Sequence, residues 1–248
     1  MKSLKISKMN IDGIMKSAMI YYCIFIFIII FLISISDERT TMSGIEVSTV
    51  IFLFVCGLNS FKSNFYFAKS NGISRKTFIK GLLISSVPIA LVMSIIDIII
   101  NRINNIFIKN PTFYDMAYGN SVGYISKIYE DTWVQSNSLD TIFNTILFQF
   151  SLCLLAYVVG IVINMIYYRS NKYVKVLVSV TPVVFIIFNS NLSMKNPRLA
   201  MRVNEFFDYI FGFNTSNVFA CITTFLVFTV VLSGIAFLLI RKAVIKER

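Results

Sequence analysis

Residues 17–36 run for twenty positions without a charged side chain, through CIFIFIIIFLISI, and five further blocks resemble them. A bilayer core of about 30 Å is crossed by roughly 20 helical residues at about 1.5 Å rise each. Six spans are therefore expected, at about 17–36, 45–62, 81–100, 141–168, 176–190 and 217–240. The second is short, and reaches spanning length if Glu46 sits at one interface while Lys62 snorkels at the other. Lysines precede the first block as they would in a signal peptide. Its length and the absence of an A-x-A-like site in SISDERTT favour a retained helix. Charged residues make up 14% of the chain, against about 25% in soluble domains. The reading is one all-α integral membrane domain covering residues 1–248.

Six spans put both termini on one side, and the basic residues choose it. The N-terminal segment, the loop after span two, the loop after span four and the tail hold sixteen Lys and Arg against Asp12 and Glu247. The other loops hold seven basic and eight acidic residues. The first set is expected in the cytoplasm, with both termini, in a multi-pass protein of the cell membrane. Sorted this way, the net charge of +11 is an orientation signal rather than a nucleic-acid surface, and no nucleic-acid partner is expected.

Histidine is absent, which excludes Ser-His-Asp triads, His-paired cysteines and H-E-x-x-H zinc sites. Cys23, Cys56, Cys153 and Cys221 each fall in a different span with no CxxC spacing, so they read as small hydrophobes and no metal site is expected. No G-x-x-x-x-G-K-[ST] or G-x-G-x-x-G occurs, so any ATP must bind another chain. No catalytic residue is assigned. Glu46 and Asp97 are the two carboxylates at span depth, and lie close enough to span ends to be read as water-reaching interfacial groups, with proton or substrate handling as the sharper alternative.

Several polar span residues are candidates for a translocation path: Asn59 in span two, and Gln149 and Asn164 in span four. The last two point about 60° apart on a helix, so one face can hold both; hydrogen bonding to neighbouring helices is the plainer alternative. Ala156-x-x-x-Gly160 permits close helix approach, and Pro182 can kink span five.

The connecting segments carry patterns of their own. MKSLKISKMNIDGIMK mixes lysines with apolar residues and reads as an amphipathic interfacial helix on anionic lipid, with Gly13 turning it into span one. Residues 101–140 carry Tyr114, Tyr118, Tyr124, Tyr129 and Trp133, as surface anchors or a small outer cap. Within 191–216, NEFFDYIFGF reads as a short amphipathic outer helix ended by Gly212 and Asn214, too short to span and so interfacial or re-entrant. Its Phe206, Phe207 and Phe211 are a candidate outer gate, the alternative being a surface-lying connector. Between spans two and three, Asn71-Gly72 signals a turn and Ser74 is placed to cap a short helix, SRKTFIK, closed at Gly81.

That last segment, FAKSNGISRKTF over residues 67–78, resembles the second cytoplasmic loop of small ABC-2-type transporter permeases of Gram-positive bacteria. The six-span layout, the N-terminus and the aromatic outer element are similar too, although the loop between spans three and four is longer than in that family. The resemblance implies a permease subunit of an ATP-driven exporter, working with separate ABC ATPase subunits that bind ATP and Mg, and with a second permease chain, identical or related. It also implies that this loop is a coupling helix. Gly72 would make the turn, Ser74 would cap the helix, Arg75 and Lys76 would meet the ATPase, and Phe78 would fill its cleft. Amphipathic or antimicrobial peptides and lipid-like molecules are the implied cargo. A non-transporting immunity or sensory protein that binds a peptide through its outer loops is the alternative.

Overall fold

The computed structural model describes residues 2–35, 43–119 and 133–241. Tyr124, Tyr129 and the tail cations Lys242, Lys246 and Arg248 lie outside the described residues. Among the described residues there are nine α-helices and no strand. They are α1 (Lys2–Ile35), α2 (Glu46–Ser60), α3 (Lys62–Ser70), α4 (Arg75–Asn104), α5 (Phe113–Tyr118), α6 (Leu139–Arg169), α7 (Lys172–Lys195), α8 (Pro197–Phe211) and α9 (Val218–Arg241). Six stretches are long and apolar enough to cross a membrane: α1, α2 continued by α3, α4, α6, α7 and α9. The chain is thus an all-helical, multi-pass membrane protein.

Close packing between spans needs small residues, because lipid tails give apolar side chains no reason to prefer protein. The tightest crossing joins α2 to α6. A Cβ on Gly57 would lie 2.2 Å from the Tyr157 carbonyl, and one on Gly160 would lie 2.3 Å from the Phe54 carbonyl. The close approach expected of Gly160 is therefore made against Gly57. The two helices run parallel, as do α1 and α4. Ser3 and Ile6 sit against Gly81 while Tyr22 reaches Met93 and Asp97.

These pairings gather the starts of α1 and α4, the α3 helix and the ends of α6 and α9 at one basic end. There Phe61, Phe65, Phe78 and Tyr168 pack ring on ring, with Phe61 and Phe65 5.2 Å apart and Phe65 and Phe78 5.5 Å apart. The opposite end holds Glu46, Asn101, Asp115 and the α8–α9 junction.

Two expected breaks are absent. α1 continues through Gly13 from Lys2 to Ile35, so the N-terminal segment is not a separate helix turned at that glycine. Its Ile6, Asn10, Ile14, Ala18 and Tyr22 are buried, forming one stripe at four-residue spacing that packs on α4. Packing on a neighbour, not lipid contact alone, holds this segment. Likewise α4 does not stop at Gly81. It is one helix of 30 residues from Arg75, continuous through Pro88, and the expected coupling helix is its first two turns.

The outer helix begins earlier than NEFFDYIFGF suggests, with Pro197 at its first turn where a missing N–H costs nothing. It ends as expected at Gly212, whose φ of +70° closes the helix while the Phe213 N–H bonds back to the Asp208 carbonyl at 2.9 Å. α7 is the outlier: it continues through Pro182, packs lightly on α6 and α8, and buries none of its residues within the chain.

Candidate functional site

The basic end is built from a tight helical hairpin. Gly72, at φ +66°, ends α3 with the Ile73 N–H on the Ala68 carbonyl at 2.9 Å. Ser74 then caps α4, its hydroxyl accepting the Thr77 N–H at 3.2 Å, as the sequence predicts. Lys76 and Lys80 are exposed, whereas Arg75 is half-buried and donates to the Arg241 carbonyl at 2.9 Å, tying α4 to the end of α9.

Phe78 corrects the expectation placed on it. It is 0% exposed and packs against Phe61 and Phe65, so it fills this chain's own core rather than offering itself to a partner's cleft. The reason is helical phase, because Phe78, Leu82, Ser85 and Ile89 share the inward face of α4. Phe67 on α3 is exposed at this end, at 55%.

Inside the bundle two polar networks cross between helices. Near the basic end, Asn10 donates to the Ser85 hydroxyl at 2.6 Å and the Tyr157 hydroxyl at 2.7 Å, and Tyr157 donates to Ser60 at 2.9 Å. These join α1, α4, α6 and α2 at one depth. Towards the other end, Asp97 gathers donors from three helices. Tyr22 and Thr49 each donate to Oδ1 at 2.8 Å, and Gln149 donates to Oδ2 at 2.9 Å. Tyr21 joins the cluster through Thr49 at 3.1 Å and extends it to Ser48 at 2.6 Å.

Both carboxylates at span depth are therefore buried, not water-reaching: Glu46 and Asp97 are each 4% exposed. Glu46 differs from Asp97 in having, among the described residues, no hydrogen-bond partner on either oxygen. The three residues expected along a path do not come together. Gln149 is buried on Asp97, Asn59 is exposed and bonds back to the Val55 carbonyl, and Asn164 is half-buried nearer the basic end of α6. Sequence reading missed Asn10, Tyr22, Thr49 and Tyr157, although the buried stripes of α1 and α4 pass through Asn10, Tyr22 and Asp97.

The third zone is a cavity of about 330 Å³ at the acidic end, lined by Phe113, Tyr118, Phe148, Phe211, Phe213 and Phe225 among others. Asp115 and Thr112 form a reciprocal cap that sets α5. The buried Tyr118 hydroxyl donates to the Phe211 carbonyl at 2.6 Å and so fastens the end of α8 over α5. Burial pushes the Tyr118 phenol well above its usual range, keeping it a neutral donor. Of the three expected gate residues, Phe211 lines this cavity. Phe207 stacks on Phe211 from outside it, with centroids 6.2 Å apart, and Phe206 is 60% exposed beyond them.

The fold and these zones define a class, a polytopic helical membrane protein with polar groups bonded between its spans. Comparison with known protein families, curated proteins and solved structures returns no match.

Proposed function

We propose that the chain is the membrane-spanning permease subunit of an ATP-driven ABC transporter, exporting an amphipathic peptide or lipid-like cargo. The observation that carries this reading is the continuity of α4. The helix starts in the exposed basic turn and continues without a break to Asp97 and Asn101. Its start is clamped by Phe78 among Phe61 and Phe65 and by Arg75 on Arg241. A partner that pushes on Lys76 and Lys80 thus moves a rod whose far end carries the Asp97 network. The partner ATPase supplies ATP, Mg and the hydrolysis, and this chain supplies a bundle with two arrangements. The basic end faces the cytoplasm in this reading, with both termini in the cell membrane protein's interior side.

Two further features support the assembly and the cargo class. α7 exposes Val183, Val184, Ile186 and Ile187 and buries nothing in its own chain, which suits a second permease chain alongside lipid. The aromatic cavity is large enough for an apolar side chain or acyl segment. In this assignment Phe67 takes the aromatic docking role that Phe78 cannot.

The test is purification of the tagged chain from its native membrane in mild detergent. A nucleotide-hydrolysing subunit is expected to co-purify, and Lys76→Glu with Lys80→Glu is expected to release it at least tenfold while the chain stays monodisperse. Recovery without any ATPase contradicts the permease reading. In that event peptide binding at the aromatic cavity would favour the immunity or sensory role.

A further inference from the structure

Between α1, α2 and α4, at the acidic end of the spans, lies a small space of about 10 Å³ lined by Phe25, Ile45, Glu46, Asp97, Ile100 and Asn101. That is the room of about one water-sized sphere. Its polar lining is made of carboxylates and a carboxamide. Asp97 accepts three hydrogen bonds, from Tyr22, Thr49 and Gln149, which orient it and leave acceptor capacity on its oxygens. Glu46 accepts none among the described residues, although both its oxygens are shut off from solvent. A carboxylate stripped of water with nothing to replace it costs several kcal/mol on the order-of-magnitude scale for buried ions, so such a group at span depth either holds a proton or faces a counter-charge.

Among the described residues no counterpart lies at bonding distance of Glu46. The titratable and charged groups that bear on this pair are Tyr21 and Tyr22 from α1, Arg102 from α4, Asp115 from α5 and Cys153 from α6. Arg102 is the one cation among them, and its guanidinium has no hydrogen-bond partner among the described residues. Asp115 is already engaged by Thr112 and Gln135. Glu46 and Asp115 therefore share one guanidinium that bonds neither of them.

The donor set narrows what can fill the space. All its polar donors are hard, which excludes soft transition metals. Among the described residues there is no group of three His, Cys, Asp or Glu placed to hold a metal, and this donor set is too poor in charge for a divalent ion. We propose that Glu46 and Asp97, with the Asn101 carboxamide, bind one small monovalent cation, either a sodium ion or a proton held on the carboxyl oxygens. The site is independent of any ATPase. It ties α2 to α4 through the cation, as the hydrogen bonds of Asp97 already tie α1, α2 and α6 to α4. Its occupancy then changes how firmly the acidic ends of those helices are held together.

The experiment is thermal unfolding of the purified chain in detergent, with sodium varied against N-methyl-D-glucamine at fixed pH, and with pH varied in the absence of sodium. A ligand that binds only the folded state raises the midpoint in proportion to the logarithm of its concentration above Kd. A rise with sodium assigns the site to sodium, and a rise with acidification alone assigns it to the proton. In either case Glu46→Gln is expected to lose the dependence. Radioactive sodium binding to the wild-type chain, competed by acid, repeats the test without a variant. A midpoint indifferent to both cations, or a dependence that Glu46→Gln leaves intact, overturns the proposal.

Discussion

Gly160→Leu is expected to abolish the folded bundle, and Gly57→Leu to do the same. A side chain at either position starts from a Cβ 2.2–2.3 Å from a backbone carbonyl of the facing helix. Neither oxygen belongs to a flexible side chain that can turn away, so α2 and α6 must separate along their length. Overpacking in a filled core costs about 1–3 kcal/mol where side chains can adjust, and more where backbones must move. Separation here would also pull Tyr157 from Ser60 and Asn10. Fluorescence-detected size exclusion after heating reads the outcome: a monodisperse wild-type peak against aggregate for either variant. Gly234→Leu, at a span position where an added Cβ meets nothing within 4 Å, is the matched control and is expected to resemble wild type.

The second large effect separates two phenylalanines eleven residues apart. Phe78→Ala is expected to destabilise the chain by about 3–5 kcal/mol, the usual cost of emptying a fully buried aromatic site. Its neighbours Phe61 and Phe65 are themselves buried and cannot collapse into the space without uncoupling α3 from α4. Phe67→Ala removes a ring that is 55% exposed and is expected to shift stability by less than about 0.5 kcal/mol, as surface changes do. Binding of the ATPase is expected to respond the other way, weakened by Phe67→Ala with the chain intact. If Phe78→Ala leaves thermal stability unchanged, the packing described for the basic end is wrong.

These two cases also show which parts of the fold could be read from the chain. Six spans, the Ser74 cap, the Gly72 turn and the Gly212 stop were legible because each depends on local chemistry: apolar length, a hydroxyl before a helix, a left-handed glycine. The fate of Phe78 was not, because the motif around it resembles an exposed loop while its phase on α4 turns it inward. The phase itself was readable, since Phe78, Leu82, Ile89, Met93 and Asp97 all lie on the buried face of α4. Following that face to Asp97 would have placed the carboxylate inside the bundle rather than at an interface. The same holds for Ile6, Asn10, Ile14, Ala18 and Tyr22, where lysines at 2, 5, 8 and 16 drew attention to lipid and hid a single continuous stripe. Partner choice between stripes was not legible. Nothing local tells Gly160 that it will meet Gly57, or Gln149 that it will meet Asp97 across 52 positions of sequence.

Lys76 is where the account is most directly exposed to test. It is exposed in the structure, lies in the hairpin assigned to the ATPase, and sits at the end of the molecule assigned to the cytoplasm. Lys76→Cys, made with the four native cysteines replaced, is to be treated with a membrane-impermeant maleimide in intact cells and again after the membrane is opened. The account predicts no labelling in intact cells, full labelling in opened membranes, and a crosslink from this cysteine to the ATPase subunit. Labelling in intact cells would place the basic end outside and contradict the account.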